Sequence, residues 1–111
     1  MIIPNKVRIG SCDYDVNVTN NAIVLEGRQC KGMIDYEYHN INIDSSIQDE
    51  QGQEQTFLHE LFHGIVHSRS LDLGEDTEEI IDAIAIGMHQ VIRDNHRIFI
   101  DRSEVVTCGN I

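Results

Sequence analysis

Three of the chain's six histidines fall in one stretch, TFLHELFHGIVHS at residues 56–68, and a glutamate directly follows the first of them. His59, Glu60 and His63 fit the pattern H-E-x-x-H. At about 100° per residue, histidines four apart lie one turn apart on the same helix face and can grip a single ion. The glutamate between them projects close to that ion without having to bind it. From there it can take a proton from a metal-bound water and leave a hydroxide nucleophile. The chemistry to expect is metal-assisted hydrolysis, with His59 and His63 as ligands and Glu60 as general base.

Two histidines and a water leave one tetrahedral position for another protein ligand. His67 is the nearest candidate in sequence, but on an unbroken helix it sits about 12 Å along the axis from His59, too far for one ion. The longer form H-E-x-x-H-x-x-G-x-x-H would need Gly and His where this chain has Val66 and Arg69. His67 therefore reads as a surface histidine near a helix C-terminus, or else as a residue facing a substrate. A better third ligand lies on the following amphipathic segment. There Glu78, Asp82 and His89 fall along one edge of the apolar face, whereas Glu79 faces water. Glu78 is the expected ligand, against the plainer reading of an acid favoured by the helix dipole. Glu79, Asp82 and Glu75 are the reserves. Asp82, one turn past Glu78, can reach the free N–H of a metal-bound histidine and fix its tautomer. His89 is either a helix-surface histidine or a group that stabilises an oxyanion. His39 and His96 have no partner visible in the sequence.

The elements that must position these residues are legible from periodicity. KVRIG and YDVNVT read as strands around an SCD turn, and GMIDY and HNINID as strands around an EYHN reversal. AIVLEGRQCKG between them is a short strand or an irregular connection. Asp13, Asp15 and Asn17 resemble the start of a calcium loop, but Val18 stands where its glycine and Val24 where its closing acid should be. Phe57, Leu58, Leu61, Phe62, Ile65 and Val66 form a helical stripe that ends near residues 68–70, with Ser45 and Ser46 as N-cap candidates. Asp76 with Glu79 has capping-box spacing. It opens a second helix, marked by Ile80, Ile81, Ile84, Ala85, Met88, Val91 and Ile92, which runs to about Asn95. RIFI after it is a strand or a packed tail. The fold class is α+β: a small antiparallel or mixed sheet of three to five strands in the N-terminal half, packed on two helices.

The 111 residues make one domain, residues 1–111, with enough chain for a modest core. Nineteen acidic against eight basic residues give a formal charge of −11, which repels phosphate backbones and anionic lipid. No nucleic-acid or membrane partner is expected. There is no run of the roughly 18 apolar residues that a membrane span needs, and the N-terminus lacks the apolar core of a signal peptide. Cys12, Cys30 and Cys108 are odd in number and lack CxxC spacing, so reduced thiols and a cytoplasmic location are expected.

H-E-x-x-H on one helix followed by E-x-x-x-D on the next resembles the gluzincin metallopeptidases. The EQTFLHELFHGIVH and EEIIDAIAIGMHQVIRDN segments, with the GMIDYEYHNINID hairpin before them, more specifically resemble small zincin-like proteins of phages and prophages of Gram-positive bacteria, near the ImmA/IrrE group. The resemblance spans residues 32–95. It implies a minimal zincin-like fold and one Zn²⁺ per chain on His59, His63 and Glu78, with Glu60 as base. It also implies a sheet edge strand in the 32–43 hairpin beside the groove, and a protein or peptide substrate such as a repressor-like regulator. The helix-turn-helix that often accompanies the group is not expected in so short a chain. The alternative from another class is a catalytically silent binding module on the same scaffold, and a third reading is a metal that only stabilises the fold.

Overall fold

The computed structural model describes residues 1–101. Six strands come first: β1 (Lys6–Ile9), β2 (Cys12–Thr19), β3 (Ile23–Leu25), β4 (Arg28–Cys30), β5 (Gly32–Asp35) and β6 (Asn40–Asp44). Helices α1 (Glu50–Ser68) and α2 (Thr77–Asp94) follow, with single 3-10 turns at Gly74–Asp76 and His96–Phe99. The architecture is α+β as expected: a four-stranded mixed sheet in the order β1-β2-β6-β5, a separate β3–β4 hairpin, and two helices. None of these helices is long and apolar enough to cross a membrane.

Turn chemistry and alternation account for the sheet. Gly10, with φ 60°, lies in the two-residue turn that reverses β1 into β2. Along β2 and β6 the period-two pattern buries Tyr14, Val16, Ile41 and Ile43 on one face. The connection that was hard to read is the β3–β4 hairpin. Glu26 and Gly27 form its two-residue turn, both with positive φ, as the right-handed twist of a hairpin favours. β2 and β6 pair in parallel, and β5 pairs antiparallel with β6 through Ile34↔Ile41. Asp35 closes the β5–β6 reversal by accepting hydrogen bonds from the Glu37 and Tyr38 N–H groups. β5 is thus an edge strand.

The helix starts differ from expectation. Asp49, not Ser45 or Ser46, caps α1, accepting the Gly52 N–H at 2.8 Å. Ser46 is engaged elsewhere: its N–H and hydroxyl both donate to the buried Asp44, at 2.9 and 2.6 Å. Those bonds hold the Asp44 carboxyl below the usual range. At α2, Asp76 precedes the first turn but makes no capping bond, because a 3-10 turn leads in and the Thr77 hydroxyl donates back to the Gly74 carbonyl. RIFI forms neither strand nor packed tail: Ile98 and Phe99 lie exposed on a 3-10 turn. The remainder of the C-terminal segment, residues 102–111, lies outside the described residues.

The buried line of each helix is also displaced from the apolar stripe. On α1, Thr56, Glu60 and Gly64, spaced four apart, are buried together with Phe57 and Leu58, while Ile65 is exposed. Gly64 makes this possible, since a Cβ there would stand 2.7 Å from Ile9 Cδ1 and 3.1 Å from Ile34 Cδ1. α2 buries Ile81, Ala85 and His89 and leaves Ile80 and Ile84, at 36% and 49%, open to solvent. With only two helices, nothing else among the described residues covers that side.

Two glycine substitutions should move stability in opposite directions. Gly64→Ala forces the Ile9 and Ile34 side chains apart and is expected to cost ~1–2 kcal/mol despite the better helix former. Gly87→Ala in α2, where a Cβ meets nothing within 4 Å, should gain up to ~1 kcal/mol. Urea melts of both variants read the signs. Stabilisation by Gly64→Ala would mean that α1 does not lie this close to the sheet.

Candidate metal centre

Helix α1 presents two adjacent turns to a cavity of about 520 Å³, whose opposite wall is the edge strand β5 and whose end is the first turn of α2. His59 and His63 look into it from α1 and are each about one-fifth exposed. Glu78 reaches in from α2, with Oε2 3.1 Å from His59 Nε2 and Oε1 2.8 Å from His63 Nε2. The two Nε2 atoms are 3.1 Å apart. A tetrahedral ion with bonds of about 2.0–2.1 Å holds its ligand atoms roughly 3.3 Å from one another. Two imidazole nitrogens and a carboxylate oxygen at these separations could hold a metal ion, and all three candidate ligand atoms lie within 4.8 Å of one another.

The donors are also in suitable states. Burial lowers the His63 pKa, against the opposing pull of Glu78, which favours the neutral ring that a metal needs. His59 has its other nitrogen, Nδ1, 3.3 Å from Asp82 Oδ1. With Nδ1–H donating to that carboxylate, the Nε2 lone pair faces Glu78 and His63. The expected Asp82 contact is therefore present in the geometry.

Glu60 lines the same cavity on the side of β5. It is 8% exposed, and its carboxylate accepts a hydrogen bond from the Ile34 N–H on β5. The β5–β6 register explains why that N–H is free. Lys31 accepts from Asp44 on the β6 side, so by alternation Gly32 and Ile34 direct their N–H and C=O groups away from β6. Gly32 lets α1 come near, since a Cβ there would be 2.5 Å from Thr56 Cγ2 and 3.5 Å from Glu60 Cγ. Burial, opposed by His59 and reinforced by Glu78, raises the Glu60 pKa to about 7.

His89 does not join this group. It is buried on the other side of the α1–α2 contact, its Nε2 2.7 Å from Glu54 Oε1 and its Nδ1 3.5 Å from Gln55. His67 lies one turn beyond His63 and stacks flat on Tyr36, with ring centroids 3.8 Å apart. Tyr36 itself was not singled out by spacing or pattern. It lines the cavity, donates its hydroxyl to the His63 carbonyl at 3.3 Å, and has its pKa raised by burial and by Glu60. The signal that could have found it is its place just after the edge strand β5.

A buried carboxylate beside a sheet has a measurable consequence. A folded pKa raised from 4.5 to about 7 means that the folded state holds the Glu60 proton more tightly than the unfolded state does. Its contribution to stability is full below about pH 4.5 and is lost as pH rises through about 7. Metal-free Glu60→Gln should therefore be more stable than wild type at pH 8, by on the order of 2–3 kcal/mol, and show little difference at pH 4. Urea melts at the two pH values in chelator give the comparison, and equal stability at pH 8 would contradict the buried carboxylate.

No family model, curated protein or solved structure matches the chain.

Proposed function

We propose that the chain is a zinc-dependent peptidase acting on a specific protein, with Zn²⁺ held by His59, His63 and Glu78. The observation that carries this reading is the convergence of two imidazole nitrogens and a carboxylate at 2.8–3.1 Å, with a second, buried carboxylate on the intervening helix position. A set of two nitrogens and one oxygen suits zinc, and three protein ligands leave a position open for reaction. When bound, the ion supplies Lewis-acid polarisation of water and of a carbonyl.

The chain's own residues supply the rest. Glu60 takes the proton of the attacking water and passes it to the leaving amine. The Ile34 N–H holds that carboxylate toward β5 until it is needed. Asp82 fixes the His59 tautomer. The outward groups of Gly32 and the Ile34 C=O can pair with an extended peptide laid along β5, which favours a peptide as substrate. The resemblance to gluzincins, and to the small zincin-like proteins near the ImmA/IrrE group, agrees with this assignment. A cytoplasmic protein such as a repressor-like regulator is the class of substrate it suggests.

Elemental analysis of protein purified without added metal should find about one zinc per chain. The metal should be lost in His59→Ala and Glu78→Ala, and Asp82→Asn should weaken its binding by about 10–100-fold. Full zinc retention in Glu78→Ala would remove Glu78 from the site. Glu60→Gln should keep the metal and slow cleavage of a captured partner by on the order of 10²–10⁴-fold. Indistinguishable behaviour of wild type and Glu60→Gln toward every captured protein would instead favour a silent binding module.

A further inference from the structure

On the other side of Tyr36 lies a second cavity of about 620 Å³, between the β1–β2 turn and the C-terminal end of α1. Tyr36 is common to the walls of both cavities. Their chemistry is opposite. The first contains Glu60, Glu78 and Asp82, whereas the second has no carboxylate side chain on its wall among the described residues. Instead it is lined by Arg69, His67, His39 and the hydroxyl residues Ser11 and Ser68. In a chain of net charge −11, a cavity walled only by donors and apolar groups stands out. Arg69 has no ion-pair partner among the described residues, and the α1 carbonyls nearest to it are already occupied. Ile65, Val66 and His67 accept from the backbone N–H groups of Arg69, Leu71 and Ser70. The two histidine rings are held by tyrosines, His67 stacked on Tyr36 and His39 edge-on to Tyr14 at 5.3 Å.

We propose that this cavity is a specificity subsite of the cleft, which receives an anionic side chain (a carboxylate or a phosphate) of the bound peptide on Arg69, His67 and His39. The proposal rests on the peptidase reading and names its substrate class. Its position in the peptide follows from geometry. His67 is one helical turn, about 6 Å, past His63, which an extended chain covers in about two residues. β5 runs from Gly32 toward Tyr36, and antiparallel pairing is the more stable kind. The peptide's N-terminal part then lies at the Tyr36 end, and the anionic residue is about two positions N-terminal to the bond at the metal. The protein's overall field repels acidic peptides, so a preference for an acid at one position has to come from local donors.

The test is fluorescence anisotropy of degenerate, labelled octapeptide pools, each fixed at one position as Glu, phosphoserine, Gln or Lys, with the zinc-loaded Glu60→Gln chain. At one position the Glu or phosphoserine pool should bind about tenfold or more tighter than the Gln pool, and which of the two is tighter identifies the anion. Arg69→Gln should abolish that difference between the pools, and Arg69→Glu should transfer the preference to Lys. Weaker binding of the anionic pools at every position, or an acid preference that survives Arg69→Gln, overturns the subsite while leaving the peptidase reading in place. If no pool binds although the metal is held, the peptide reading fails and the subsite with it.

Discussion

The close approach of α1 to the edge of the sheet is the constraint from which the rest of the cleft follows. It requires Gly64 against Ile9 and Ile34, and Gly32 against Thr56 and Glu60. With those two positions reduced to backbone, the Thr56–Glu60–Gly64 line of the helix can lie on the sheet. Once that line is fixed, the 100° step of the helix leaves no freedom for its neighbours. His59 and His63 must emerge at the side of the contact, into the space between β5 and α2, and Glu60 must turn its carboxylate to β5. The same helix rotation therefore produces both the candidate metal group and the buried carboxylate.

This explains why the site was easier to read than the packing around it. H-E-x-x-H and the wheel position of Glu78 depend only on the helical repeat and on two helices meeting, and the structure brings His59, His63 and Glu78 together. The buried lines depend on what each helix meets. Apolar content drew attention to Phe62, Ile65 and Ile84, but a glycine and a glutamate occupy the seam. No hydropathy argument nominates a glutamate for burial; Glu60 is buried because its place on the Thr56–Gly64 line of the helix sets it against the sheet. The N-cap of α1 was misplaced for a similar reason. Serines at 45 and 46 have capping chemistry, but Asp44 takes the donors of Ser46, and the helix starts where the next free carboxylate, Asp49, can serve. The parallel β2–β6 pairing was equally out of reach, because it is a statement about strands 25 residues apart in register.

Electrostatics separate the cleft into two halves. Glu60, Glu78 and Asp82 share one cavity with two imidazoles, and Lys31 is the only cationic side chain among the described residues on that wall. Placing three carboxylates so close together with one lysine on the wall is unfavourable. A metal ion, which His59, His63 and Glu78 could hold, would supply the missing counter-charge. The ion would satisfy Glu78, leave Asp82 to hold a ring N–H, and favour the ionised form of Glu60 that a base requires.

α1 ties the two halves together. Three histidines spaced four apart look equivalent in the sequence, and one helix face does carry all of them. What separates them is Tyr36. Its hydroxyl bonds to the His63 carbonyl and its ring stacks on His67, so it stands between the second and third histidines as a partition. On one side the helix meets an acidic α2, and the rings belong to a group that could hold a metal ion. On the other it meets a turn with no acidic side chain toward the cavity, and the ring is left as a donor beside Arg69. A regular repeat on a helix thus acquires two chemistries, one helical turn apart, from what the rest of the chain packs against it.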